Sequence, residues 1–462
     1  MKHMIKKMLD RHPTRRAHST VCFFLTVIIL VASITRWLDL SIVTGLLQKK
    51  LHLQDSPVLY SSEVDCSLNC SDIGFLTTEI SNSSAPACPE YFRWIHEDLK
   101  PWKESGITRE MVENAKHFSH IRITIVNGRL YTQKFKEAFQ TRDVVTIWGL
   151  LQLLRLYPGR IPDVDLMFAC DDRTAVHKRD YSSPNASIPP PVFHYCGEET
   201  SYDIVFPDWS FWGWPEVNIK PWEELKEELK EANQRIKWKD REPYAFWKGN
   251  SKLGPARKDL ATCNVSNGQD WKARLFDMDW SGEKKQGFKT SNLASQCTYS
   301  QKYILACDSM MLAVKPHYYD FFTRNLMPMI HFWPIKHQNK CSAIKFAAQE
   351  IGKAGSQFAQ EQLKMQNVYD YCFHVLNEYA KLLKYKPVVP EGSEETCSET
   401  LICSVKGQKR RFRKHSMVKN PSDTLPCALP SAYDPAELRA FIEKKENLTR
   451  QVTMWESSQT TS

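Results

Sequence analysis

The sequence lacks a Walker-type phosphate loop and a G-x-G-x-x-G fingerprint, which sets aside P-loop nucleotide hydrolysis and the usual dinucleotide fold. No Ser-His-Asp ordering and no His-Glu-x-x-His stretch occurs, so neither a triad hydrolase nor a helical zinc protease is indicated. Internal repeats are absent. The cysteines are scattered without the paired spacing of a zinc site. Long uncharged apolar runs are scarce too: residues 19–35, STVCFFLTVIILVASIT, form the one example.

That single run organises the cell-biological reading. At ~1.5 Å per residue a helix of this length covers roughly 25 Å, enough for a thin bilayer. Lys2, Lys6, Lys7, Arg11, Arg15 and Arg16 precede it against one acid, Asp10. The positive-inside tendency then gives a cytosolic tail at 1–18, a transmembrane signal anchor at 19–35 and a lumenal body after it. The alternative is a cleaved signal peptide, disfavoured by the long basic lead and the lack of a small-x-small cleavage site. A Ser-rich stem follows at 36–87. Sequons at Asn69, Asn82, Asn185, Asn264 and Asn447 mark candidate glycosylation sites. Thirteen of the 14 cysteines follow the anchor, which reads as disulfides in an oxidising compartment with at least one thiol left over. The chain closes on SSQTTS without a retrieval tetrapeptide, so a Golgi (or ER) membrane address set by the anchor is expected.

The body itself is long enough for two domains, and its 42% hydrophobic content is that of a globular protein. Part of the formal charge of +9 sits in the tail, and a lumenal protein meets no nucleic acid. The basic run GQKRRFRKH therefore reads as a solvated helix face. Segment 107–117 looks helical. IRITIVNGRLYT, 121–132, reads as strand, Asn127-Gly128 turn and strand. Residues 143–156 are apolar nearly all round, which predicts a buried helix. VDLMFACDDR, 164–173, reads as a buried parallel strand from Val164 to Cys170 running into Asp171 and Asp172. In open α/β sheets chemistry gathers beyond the carboxyl ends of strands, so an acid at such a tip is a candidate general base. A plain turn or helix N-cap is the competing reading.

Further on, DIVFPDWSFWGWP places Trp209, Phe211, Trp212 and Trp214 among turn residues. Their faces suit a sugar or a peptide side chain, or anchor the loop in the core. Residues 222–236 read as an amphipathic helix. In YAFWKGNSKLGPARKDL a strand ends at Lys248-Gly249, a loop follows, and Pro255 stands where a helix would begin. Loop amides with Lys252 and Arg257 make a plausible diphosphate cradle. KYILAC, 302–307, and MPMIHFWPI, 327–335, read as strands, and helices are expected at 366–384 and near 434–452. Asp277-Met278-Asp279 has the spacing of a metal-binding acid pair, against which stands an ordinary surface turn.

CPEYFRWIHEDLKPW, FQTRDVVTIWGLLQLLRLYPGRIPDVDLMFACDDR, FPDWSFWGWPEVNIKPW, FWKGNSKLGPAR, KYILACDSM and YDFF, in this order, resemble glycosyltransferase family 90. This group includes animal protein O-glucosyltransferases and fungal capsule-associated xylosyltransferases; the plant branch is closest. The resemblance implies a GT-B architecture with two Rossmann-like domains, at 88–235 and 236–396, and a Cys-containing helical tail at 397–462. It implies inverting transfer of glucose or xylose from UDP-glucose or UDP-xylose to a lumenal protein or glycan hydroxyl, without a metal or other cofactor. Asp172 matches the base, Gly249, Lys252 and Arg257 the donor loop, and Trp209 and Trp212 the acceptor side. Three departures stand out. The family carries an acid where Ala169 stands and a proline where Thr174 stands. The interval from Cys297 to Cys307, paired in the family, is shortened here and lacks a segment that lies over the donor. An impaired member acting as a lumenal binding protein is the alternative function, and a metal-dependent transferase using Asp277 and Asp279 a further one.

Overall fold

A computed structural model describes Cys70 and residues 85–459, except 184–185, 237–239, 243, 253–254, 267, 289–300, 315–316, 336–339 and 347–351. The expected anchor and most of the stem lie outside the described residues. Among those described, no helix is long and apolar enough to cross a membrane.

The architecture is mixed α/β. Strands β1 (Ile121–Val126) and β2 (Arg129–Lys134) form the expected hairpin. Asn127 and Gly128 both take positive φ, at 53° and 73°, as a two-residue turn matched to strand twist requires. Strand β3 (Val164–Phe168) is buried along its whole length. It pairs antiparallel with β1 and parallel with β4 (Val192–His194), which pairs with β5 (Ile204–Val205). With β10 (Glu394–Thr396) at the far edge, the sheet order is β10-β2-β1-β3-β4-β5. The expectation of a parallel strand is thus corrected on one side: β3 is where the hairpin meets the parallel strands. Its carboxyl end still opens into a loop, as expected.

Helix α1 (Arg142–Leu156) is buried on nearly all faces, including Trp148, Leu150 and Leu153, as its lack of a polar side predicts. Helix α2 (Trp222–Arg235) buries Trp222, Leu225, Lys226 and Leu229 and exposes Glu223, Glu227 and Glu231. On the second half, β6 (Ala245–Gly249) pairs in parallel with β7 (Ala273–Asp277), and helix α3 (Pro255–Ala261) begins at the expected proline. Helix α4 (Trp280–Lys285) follows. KYILAC is corrected from strand to helix, α5 (Gln301–Ala306). A six-residue apolar run carries no period long enough to separate the two, and burial of Lys302, Tyr303, Leu305 and Ala306 decides it in space. Strands β8 (Met311–Val314) and β9 (Phe332–Ile335) form a second parallel pair, the latter shorter than read because 327–331 is a turn. Helix α6 (Met365–Leu382) returns to the first sheet, where Tyr379 donates to the Asp165 carbonyl at 3.0 Å. The basic run forms helix α7 (Gly407–His415), burying Phe412 and Arg413, and α8 (Pro435–Gln459) is the last of the described helices.

Disulfides tie distant segments of the chain, and a buried ion pair bridges strands of the first sheet. Cys70–Cys397 and Cys88–Cys427 are disulfides, as is Cys263–Cys341 in the second half, and Cys307 and Cys403 are disulfide-bonded as well. Cys297, the expected partner of Cys307, lies outside the described residues. Cys170, Cys196 and Cys372 are free thiols. Across β1 and β3, Arg122 grips Asp165 through two hydrogen bonds of 2.7 Å, and Tyr385 donates to the same carboxylate at 2.9 Å.

Candidate active site

Chain direction makes the site. Ala169 and Cys170 continue β3 in the core, with the Ala169 amide donating to the Phe193 carbonyl at 2.9 Å. The next three residues, Asp171, Asp172 and Arg173, are exposed. Ala169 has no exposed surface, so the methyl group fits where a carboxylate would be desolvated. Thr174 is buried and donates its hydroxyl to Glu198, which His317 Nε2 meets at 2.8 Å. Burial works to raise the Glu198 carboxyl, but bonds from Thr174 and Thr200 and the nearby imidazoles hold it below its ordinary value. Proline could not donate this bond.

Asp172 is 76% exposed, yet it is held from beneath. Arg142, at the head of α1 and itself buried, places Nη1 at 2.7 Å from Asp172 Oδ1 and Nη2 at 3.5 Å from Oδ2. The guanidinium lies 4.2 Å from the Trp209 ring and 5.1 Å from that of Phe139. Phe139 is 64% exposed, so one wall of this corner is an open aromatic face. Trp209 packs edge-on against Tyr195 and Trp214, and Trp214 donates to Gln140 at 2.6 Å. Beside them, the His120 Nδ1 accepts the Cys170 amide at 3.0 Å, which leaves Nε2 to carry the proton toward Asp171, 3.6 Å away. Burial lowers the His120 pKa, opposed by the Asp171 charge. The Cys196 thiol approaches the Asp172 carbonyl at 3.8 Å, and burial pushes it up to about 12, an unreactive thiol.

The two tryptophans matched to the acceptor side part company. Trp209 is buried, but its ring lies 4.2 Å from the Arg142 guanidinium that holds Asp172. Trp212 is buried, donates to Tyr369 at 3.0 Å and packs on Gly149, where an added Cβ would lie 2.6 Å from the indole. It anchors the turn in the core. Phe139, Arg142 and His120 went unread in the sequence; the one available signal was a cation heading an otherwise apolar helix.

On the second half, Gly249 ends β6 opposite Asp277, and Lys252 and Arg257 are exposed around the following loop. The Lys252 amide donates to the Asn250 side chain at 3.0 Å, and Arg257 reaches the Asn250 carbonyl at 3.5 Å. A Cβ on Gly249 would meet the Trp247 ring at 2.7 Å. The Asp277 carboxylate accepts from the Ser251 amide at 2.9 Å; a bond from the Ser251 hydroxyl, and then this amide bond, hold its pKa below the usual value. Asp279 caps α4 by accepting from the Gly282 amide at 3.0 Å. The acid pair therefore serves the loop and the cap, the surface-turn reading. These groups bond among themselves, and none of those bonds reaches the Asp172 corner.

Of the sequons, Asn69, Asn82 and Asn185 lie outside the described residues. Asn447 is exposed on α8. Asn264 is partly buried, with its side-chain amide donating to the Leu275 carbonyl at 3.0 Å and accepting the Leu275 amide at 3.3 Å.

The family profile described as Glycosyl transferase family 90 matches residues 83–456. Protein O-glucosyltransferase 1 of Homo sapiens is 27% identical over 361 residues, covering 69% of this chain and 86% of the relative. The Bos taurus protein of the same name is 26% identical over 359 residues, with the same coverage of 69% and 86%. O-glucosyltransferase rumi of Drosophila melanogaster is 25% identical over 351 residues, covering 66% of this chain and 79% of that protein.

Proposed function

We propose, from the premise that this chain belongs to glycosyl transferase family 90 and is a glycosyltransferase, that it moves glucose or xylose from a UDP-sugar to a hydroxyl of a lumenal protein or glycan. Asp172 takes the acceptor hydroxyl proton as the oxygen attacks the anomeric carbon. The carbon inverts and UDP departs. Lys252 and Arg257 stabilise the charge gathering on the diphosphate, beside the backbone of a loop kept narrow by Gly249. Trp209, with Phe139 at the rim, forms the acceptor wall. No metal takes part. The observation that carries the reading is the Asp172 carboxylate, exposed at the tip of a buried strand and gripped by Arg142.

The reading includes a GT-B pair of domains around a cleft, anchored through the apolar run 19–35 in a Golgi or ER membrane with the body in the lumen. The three disulfides described support an oxidising compartment. A second reading, an impaired member serving as a lumenal binding protein, is favoured by one observation. Among the described residues the donor-side strands stand as two separate pairs, with Phe246 and Phe276 of β6 and β7 about half exposed.

Thermal unfolding of the full chain with and without millimolar UDP separates the two. Saturation at ~100 times the dissociation constant adds about 2.7 kcal/mol to the folded state. A raised midpoint supports the transferase. A cooperative transition that UDP leaves unmoved supports the binding protein.

A further inference from the structure

We propose that Arg142 is the positioning residue for the base, with Trp209 as its platform; this rests on the reading of Asp172 as the base. An exposed carboxylate on a loop samples several rotamers, whereas a general base must hold one oxygen within hydrogen-bond reach of the acceptor proton. Arg142 removes that freedom asymmetrically. Its Nη1 binds Oδ1 at 2.7 Å, while Oδ2 stands 3.5 Å from Nη2 and keeps lone pairs for the acceptor. The cation is itself immobile. It is buried at the first residue of α1, donates a longer bond of 3.4 Å to the Cys170 carbonyl, and has its guanidinium carbon 4.2 Å from the Trp209 ring centroid and 5.1 Å from that of Phe139.

Stability does not account for the pair. An ion pair with one partner mostly in water contributes ~0–1 kcal/mol, while a buried guanidinium carries a desolvation cost. Among the described residues the one carboxylate that Arg142 meets is Asp172, and its Nε has no hydrogen-bond partner. A buried cation satisfied only in part, and aimed at one solvent-facing carboxylate, is arranged for that carboxylate. The ring of Trp209 backs the guanidinium at 4.2 Å, and Asp208, which accepts the Ser210 amide at 2.8 Å, fixes the turn that carries Trp209.

The test is UDP release by the full chain from UDP-glucose and from UDP-xylose, with water as acceptor, so that acceptor binding does not enter. Asp172→Asn tests the base and Arg142→Gln the positioning. The expected result for Arg142→Gln is a fall in kcat of about 100-fold, the scale of a misplaced catalytic group, with donor KM within about twofold. Arg142→Lys should recover about tenfold of that loss, and millimolar guanidinium added to Arg142→Ala should raise its rate; a merely structural role predicts neither rescue. Should Arg142→Gln fail to fold, Trp209→Leu is expected to lower kcat at unchanged donor KM. An inactive Asp172→Asn beside an Arg142→Gln of wild-type kcat overturns the assignment and leaves the base standing. An active Asp172→Asn, or a wild type that releases no UDP from either donor, overturns the base and the assignment together.

Discussion

Lys302 Nζ sits 2.9 Å from Asp208 Oδ2 and 3.1 Å from Oδ1, with no exposed side-chain surface on the lysine. The ammonium also donates to the Ser210 hydroxyl and lies 4.0 Å from the Phe211 ring. Asp208 caps the turn Trp209–Trp212, so helix α5 is tied to the turn that carries Trp209. Removing one partner of such a pair leaves the other buried and uncompensated. Lys302→Met should cost about 3–5 kcal/mol in denaturant unfolding. Lys302→Met combined with Asp208→Asn should cost clearly less; equal losses would show that packing, and not charge, holds the junction.

Asp320 faces the same junction. Its carboxyl is pushed up to about 7, by burial first and by the Asp208 charge second, against the pull of Lys302. A carboxyl with a raised folded pKa binds its proton more tightly in the native state than in the unfolded one. Stability from this group is therefore present at about pH 4 and is lost as pH rises toward about 7. Urea midpoints measured across that window should decline more steeply for the wild type than for Asp320→Asn, whose amide oxygen can still accept the Phe322 and Thr323 amides. Parallel slopes would remove Asp320 as the cause.

The contrast between Trp209 and Trp212 is open to measurement. Trp212→Ala should cost about 3–5 kcal/mol, the range for deleting a buried large aromatic. Gly149→Ala, which drives a methyl into the Trp212 indole, should cost about 1–3 kcal/mol by overpacking. Trp209→Phe should change stability less than either. A Trp212→Ala protein with wild-type unfolding would contradict the core placement.

Asn264 joins the end of α3 to β7 whether or not it carries a glycan. In enzymatically deglycosylated protein, Asn264→Ala should lose about 1–3 kcal/mol, because the Leu275 amide and carbonyl lose their partner. Asn447→Ala should leave unfolding of that material unchanged within about 0.5 kcal/mol, as expected of an exposed helical position.

Local chemistry was legible. The Asn127-Gly128 turn, the all-apolar α1 and the passage from Cys170 to Asp171 each rest on neighbours a few residues apart, where period and turn preference act directly. KYILAC was misread for the same reason: six residues hold too little pattern. Thr174, read only as a departure from the family, proves to donate to a buried Glu198, a partner 24 residues away.

By itself the sequence determined the family, the order of most elements and the acid at the tip of β3, because these follow from local pattern and from motifs in register. Only the tertiary structure decided what stands beside that acid. Arg142 reaches Asp172 across 30 residues of sequence, and Lys302 reaches Asp208 across 94. Such meetings depend on how helices and strands pack, which no local preference records. It also decided that Trp209 packs against Arg142 beneath Asp172 while Trp212 packs on Gly149 and Tyr369: the two are three residues apart, and a 3-10 turn with Asp208 at its head determines which way each ring points.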